Sequence, residues 1–182
     1  MLKRILLVLL CTLLLALAAL AAVAAGRPDR FEVRRSVRIA APAAAIHPLI
    51  ADLRTFNRWN PFARKDPAMA LNYRGPASGP GAAYDFVSDK AGTGSLTLTG
   101  GQAPGTVTMR LDMREPLAGS NEIVFALVPQ GPQGEATEVS WTMRGASPFV
   151  ARLIGVVFDM DAMIGRDFAA GLADLKALAE RR

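Results

Sequence analysis

SPFVARLIGVVFDMDAMIGRDFAAGLADLKALAERR, residues 147–182 (Ser147 to Arg182), is the only long segment outside the N-terminus with sustained helical periodicity. Its apolar residues Val150, Leu153, Ile154, Val157, Phe158, Ile164, Phe168, Leu172, Leu175 and Leu178 fall at helical spacing along one stripe. Arg152, Asp159, Asp161, Arg166, Asp167, Asp174, Lys176 and Glu180 lie between them and can stay wet on the opposite side. Such a helix needs a large apolar partner, and the region before it supplies only strand-like segments. The economical fold is α+β: a curved antiparallel sheet of about seven strands wrapped on one long C-terminal helix. A helix laid across a concave sheet encloses a cavity, and function is to be sought there.

Working outward, the chain has 182 residues. Once the apolar N-terminal segment is set aside, roughly 155 residues remain, enough for one domain with a sizeable core. The formal charge is +5; without Lys3 and Arg4, 19 basic residues face 16 acidic ones and the balance is +3. That charge is too mild and the arginines too scattered for a nucleic-acid footprint. Cys11 is the single cysteine and lies in the apolar N-terminal segment, so the domain carries neither disulfide nor thiolate chemistry. One histidine, His47, rules out a His-rich metal centre.

Met1 to Arg4 is a short basic start, and Ile5 to Ala25 is a run of 21 residues without a charge. At about 1.5 Å per residue, a helix of that length crosses a bilayer's hydrocarbon core. The run is longer than the ~7 to 15 residues of a signal h-region, which favours an uncleaved anchor over a signal peptide despite small-residue sites such as Ala22-Val23-Ala24. Residues 1–26 are therefore expected to form a transmembrane anchor or uncleaved signal, 27–30 a linker, and 31–182 the folded domain. Arg27, Arg30, Arg34, Arg35 and Arg38 outnumber Lys3 and Arg4, which favours a cytoplasmic domain; the signal-like layout favours export. The expected location is a single-pass inner-membrane protein with its domain on the periplasmic side. Secretion after cleavage and a cytoplasmic domain are the alternatives.

Phe31 to Ile39 alternates Phe31, Val33, Val37 and Ile39 with charged and polar residues, the pattern of a strand with one wet face. Ala43 to Asp52 and Leu53 to Trp59 predict two short helices, the second stopped by Asn60-Pro61. Six further strands are predicted at Met69 to Arg74, Ala82 to Ser88, Gly94 to Thr99, Gly105 to Arg114, Asn121 to Val128 and Thr137 to Arg144, separated by glycine and proline breaks. Val107, Met109, Leu111 and Met113 alternate with Thr106, Thr108, Arg110 and Asp112, so one face of the sheet is dry and one polar.

Local segments carry a resemblance. Val37-Arg38-Ile39-Ala40-Ala41-Pro42, Trp59-Asn60-Pro61-Phe62, Tyr73-Arg74-Gly75, and Asp159-Met160-Asp161 followed by Ile164-Gly165-Arg166-Asp167-Phe168 and Gly171-Leu172 resemble the START-like (SRPBCC) superfamily, specifically polyketide cyclase/dehydrase and lipid-transport-like proteins. The resemblance covers Phe31 to the C-terminus and implies the helix-grip fold. Phe56 and Phe62 stand where the related pattern more often has tryptophan. Because the superfamily is defined by a cavity whose contents vary, the implied function is non-catalytic binding of a small hydrophobic or amphipathic ligand, lipid or polyketide-like. Two alternatives remain open: a cyclase or dehydratase using the same cavity, and a protein-interaction module of the envelope.

The sheet residues expected to line the cavity are Tyr84, Phe86, Leu96, Leu98, Met109 and Leu111, with Phe125, Trp141 and Met143 beyond them. Trp59, Met163 and Phe168 complete the lining from the helices. Met109, Met113, Met143, Met160 and Met163 read first as ordinary core and second as a soft wall suited to a greasy ligand. Trp141 brings an indole donor that needs a partner if buried. Trp59-Asn60-Pro61-Phe62 reads as a gate or, more plainly, as a seal on the core edge. Polar specificity is expected from Tyr84, Asn72 or the Trp141 indole; in the enzyme alternative Tyr84, Asp85 or Arg110 assists proton transfer. No nucleophile is placed near His47, and the strand carboxylates alternate onto the wet face, so no catalytic residue, metal site or cofactor is assigned. Gly165 and Gly171 each cost a helix about 1 kcal/mol relative to alanine, which points to close approach of helix to sheet or to a kink.

Overall fold

A computed structural model describes Met1 to Arg181. The alternating segments form seven strands in one sheet: β1 (Arg30–Ile39), β2 (Ala70–Arg74), β3 (Ala83–Ser88), β4 (Gly92–Gly100), β5 (Thr106–Glu115), β6 (Gly119–Gln130) and β7 (Ala136–Ala146). Their order is β1-β7-β6-β5-β4-β3-β2, so β2 to β7 is an antiparallel meander and β1 joins beside β7. The β4–β5 register shifts at Thr93/Gly94, where Arg114 of β5 is the extra residue, and at Leu98/Gly100, where Thr99 of β4 is; such irregularities bend a strand and curve the sheet.

Three short helices, not two, follow β1: α2 (Ala43–Ala51), α3 (Leu53–Trp59) and α4 (Pro61–Lys65). Asn60-Pro61 starts a helix as well as ending one. The Asn60 side chain accepts from Phe62 N at 3.2 Å, and Pro61 occupies the first helical position, where its missing N–H costs nothing. Asp52 caps α3 in the same way, accepting from Arg54 N at 2.8 Å and Thr55 N at 3.2 Å.

The C-terminal stripe divides. α5 (Phe149–Val157) ends at Phe158, whose backbone is extended, and α6 (Met160–Ala179) begins anew. Asp161 stands in the first turn of α6, where an acidic residue favours the helix dipole and suits a fresh start. Only the α6 part of the stripe is core. Phe168, Leu172 and Leu175 are buried, worth together roughly 5–9 kcal/mol of apolar transfer as an upper estimate. Val150, Ile154, Val157 and Phe158 are exposed, so the expectation of one continuous buried stripe from Val150 onward is corrected.

The described chain forms two compact units. One comprises Glu32–Gly145 and the chain from Asp161, and holds most of the sheet and α6. Within it α6 is tied to the edge beside β1: Lys176 Nζ donates to Arg38 O at 2.9 Å, and Glu180 Oε1 accepts from Ala40 N at 2.8 Å. Arg35 donates to Asp161 Oδ2 at 2.8 Å and crosses α6 at Gly165, where a Cβ would strike its guanidinium. At Gly171 an added Cβ would sit 2.7 Å from Pro61 Cδ and 3.0 Å from Trp141 Cζ3. Both glycines serve close approach.

The other unit is Met1–Phe31 with Ala146–Met160. It contains α1 (Leu2–Ala25) and α5. Within α1, Lys3–Ala25 is long and apolar enough to cross a membrane by length and composition.

Candidate functional site

The registers lay the inner-face residues out in rows across the strands. The first row is Leu127 and Val139; the second is Val107, Phe125 and Trp141. The third is Leu98, Met109, Ile123 and Met143. The fourth runs Tyr73, Tyr84, Leu96, Leu111, Asn121 and Gly145, and the fifth Leu71, Phe86, Gly94, Met113 and Gly119. Every member of the first three rows is buried, from 0% exposure at Phe125, Val139 and Met109 to 7% at Met143. In the fourth and fifth rows Tyr84, Leu96 and Phe86 remain buried, but Leu111, Met113 and Asn121 are partly exposed. The grip is closed at one end and open at the other.

Aromatic rings fill the closed end. Trp141 stacks on Phe168 of α6 with centroids 4.0 Å apart and planes 8° from parallel. Trp59 meets Trp141 edge-on at 5.8 Å and Phe56 at 4.9 Å, and Phe125 lies 4.9 Å from Trp141. Each such pair adds about 0.5–1.5 kcal/mol beyond burial. Trp59 donates from Nε1 to Leu49 O at 2.9 Å. Trp141 Nε1 is buried and has no acceptor among the described residues, contrary to the expectation that a buried indole finds a partner. Trp59 and Asn60 are themselves buried, which is the seal reading of the Trp59-Asn60-Pro61-Phe62 segment.

A polar cluster lies between α3, β2 and β3. Asn57 Nδ2 donates to Tyr73 Oη at 3.0 Å; Asn60 Nδ2 donates to Asn57 Oδ1 at 2.9 Å and, more weakly, to Tyr84 Oη at 3.5 Å. The Tyr73 and Tyr84 rings are 5.7 Å apart, and the Arg54 guanidinium stands 4.3 Å over the Tyr73 ring. Burial, reinforced by neighbouring Tyr73, pushes the Tyr84 phenol above the usual tyrosine range, so it stays a neutral donor. Asn57, Asn60 and Tyr73 were not among the expected site residues. Tyr73 and Asn60 stand inside the segments that carry the family resemblance, and that was their available signal.

Other expected residues separate from this interior. Leu98, Met109, Phe125, Trp141, Met143 and Phe168 fall in the closed region; Leu111 stands at the open end; Met163, 47% exposed, lies outside the sealed interior. Asn72 is exposed on the outer face beside Asp85, so it is no interior polar group. Asp85 is held by Arg74 (Nε to Oδ2, 2.9 Å), and Arg110 donates to Asp112 Oδ2 at 2.8 Å on that same outer face. Tyr84, one residue from Asp85, points to the inner side by strand alternation. The three side chains named for proton transfer are therefore not brought together. Among the described residues no group of three or more His, Cys, Asp and Glu converges as a metal site.

Comparison with known proteins places this architecture. A solution structure of a protein from Thermobifida fusca shares 28% identity over 82% of this chain and 93% of that one, with a TM-score of 0.58. A crystal structure of a protein from Chromobacterium violaceum shares 14% identity over 85% and 99%, with a TM-score of 0.57. Norcoclaurine synthase from Thalictrum flavum, solved with dopamine and hydroxybenzaldehyde, shares 12% identity over 84% and 88% with a TM-score of 0.62, a likeness of fold alone. No curated protein sequence matches. The helix-grip sheet, its C-terminal helix and a family-model match across residues 30–180 together establish that the chain belongs to the polyketide cyclase/dehydrase and lipid transport family.

Proposed function

We propose that the domain binds one small hydrophobic or amphipathic molecule, of lipid or polyketide-like type, at the open end between the sheet and α6. The carrying observation is the gradient along the inner rows: packed aromatics at one end, half-exposed Leu111, Met113 and Asn121 at the other. An apolar wall with few polar groups gains affinity from buried area and orientation from those groups. Tyr84 and Asn60 supply hydrogen bonds. On this reading Tyr84, Phe86, Leu96, Leu111 and Met143 line the ligand, Met109 and Leu98 form the floor, and Trp59, Phe125, Trp141 and Phe168 form the end wall. α1 tethers the domain to the membrane. The family description, which joins lipid transport to cyclase chemistry, supports the ligand class.

The test uses the full chain in detergent or nanodiscs and a fluorescent fatty-acid probe. Binding near one probe per chain is expected, with a loss of about tenfold or more in Leu111→Trp, which fills the open end. Equal binding by wild type and Leu111→Trp, with both folded, refutes the site.

A further inference from the structure

α5 is an unburied apolar helix, and its polar side is occupied. Around its axis Phe149, Leu153, Val157, Val150 and Ile154 occupy one continuous arc of about 140°, taking 100° per residue. Phe149, Val150, Ile154 and Val157 are all exposed, Val157 by 69%, and exposed Phe158 follows. Arg152 and Gly155 lie off this arc. There Arg27 donates from Nη1 to Gly155 O at 2.5 Å, and Arg152 donates to Ala25 O at 3.3 Å and Arg27 O at 3.1 Å. Ser147 N donates to Asp29 O at 2.6 Å. Residues 27–29 are thus hydrogen-bonded to the α5 segment, and α5 is fastened to the C-terminal end of α1, within the same unit.

We propose that α5 is a second membrane contact: an interfacial helix lying at the level where α1 leaves the bilayer, its apolar arc in lipid. The inference rests on the reading that α1 is membrane-embedded. Three observations select lipid as the occupant. The arc continues an apolar surface, that of Lys3–Ala25, whose large side chains such as Leu10, Leu14, Leu17 and Val23 are exposed. It meets that surface at the end of α1, where an interfacial helix belongs. Arg27 and Arg152 are hydrogen-bonded at the α5 segment, as suits phosphate headgroups, and the acidic residues of the same unit, Asp29 and Asp159, fall outside Ala146–Phe158.

The full chain would be reconstituted in vesicles of phosphatidylcholine and phosphatidylglycerol carrying a photoreactive diazirine lipid, and cross-linked peptides mapped by mass spectrometry. Cross-links to both the Leu2–Ala25 and the Phe149–Phe158 peptides are expected. Cross-links to α1 without α5 overturn this inference and leave the tether intact; absence of cross-links to α1 overturns the tether itself. A second readout places an environment-sensitive dye at Val157→Cys in a Cys11→Ser background. Several-fold quenching by doxyl lipid, with little by aqueous iodide, is expected. Iodide quenching refutes the proposal, and so does a protected dye whose signal rises with protein-to-lipid ratio, because that outcome assigns the arc to a second copy.

Discussion

Gly171→Ala sets two physical effects against each other, and the structure decides between them. In a solvent-exposed helix the change stabilises by about 1 kcal/mol, because alanine loses less backbone entropy than glycine. At position 171 the new methyl carbon would lie 2.7 Å from Pro61 Cδ, 3.1 Å from Pro61 Cγ and 3.0 Å from Trp141 Cζ3. None of these atoms can swing away. Pro61 is a rigid ring at the start of α4, and Trp141 is held between Phe168, Trp59 and Phe125. Overpacking at a stiff site costs about 1–3 kcal/mol, and distances this short belong in the upper half of that range. The net expectation is destabilisation by about 1–2 kcal/mol, or a melting temperature lower by roughly 2–8 °C for a domain of this size. Of the two tryptophans, Trp141 lies at the contact and Trp59 packs against it, so their fluorescence reports the transition directly. Ala173→Gly, exposed on the same helix, is the propensity control and should cost about 1 kcal/mol. A Gly171→Ala protein more stable than wild type would refute the close approach of α6 to the sheet.

Three further outcomes follow from named groups. Trp59→Phe should cost about 1 kcal/mol more than Trp141→Phe in urea unfolding, because only the former strands a buried acceptor, Leu49 O, while the latter removes a donor already without a partner. Asp66, Asp85 and Asp161 are each held below the ordinary carboxylate range, chiefly by hydrogen bonds from Ser88, Arg74 and Arg35 respectively. Their unfolded forms therefore bind protons first, so their stabilisation is complete above about pH 4 and lost as pH falls through the lowered folded-state values; Asp66→Asn should flatten part of that decline in a urea-midpoint series. Tyr84 shifts the other way: its stabilisation holds below about pH 10 and is lost as pH rises, and a difference absorbance titration of wild type against Tyr84→Phe should show its ionisation only where the fold opens.

The strand order, the alternation and the C-terminal helix were legible because each is a periodicity that one face of a sheet or helix must satisfy. Val107, Met109, Leu111 and Met113 point inward as their spacing requires. The break at Phe158 was signalled only by Asp159 and Asp161, acidic residues where a helix can begin anew, and the exposure of α5 not at all, since apolar residues read alike whether or not a core covers them. The lining residues were legible as a face but not as a depth. Alternation says that Met109 and Met113 share a side; it does not say that Met109 lies in a closed row and Met113 in an open one. The Asn57–Asn60–Tyr73–Tyr84 cluster joins residues up to 27 positions apart through a helix turn and two strands, a convergence that no local pattern encodes.

On the proposed reading, the closed end of the grip serves stability and the open end recognition. At the closed end Gly171 lets α6 seat against Trp141, and Phe56, Trp59, Phe125 and Phe168 complete a packing in which each ring is fixed by the next. At the open end Met113 is unbranched and packs adaptably, and at Gly94 a Cβ would stand 2.6 Å from Asp112 O and 2.7 Å from the Phe86 ring. Truncations at Phe125 or Phe168 should therefore be read as stability effects, and truncations at Leu111 or Met113 as recognition effects, when binding and unfolding are measured on the same variants. The apolar arc of α5 belongs to the other unit, where it fastens to the α1 end through Arg27 and Arg152.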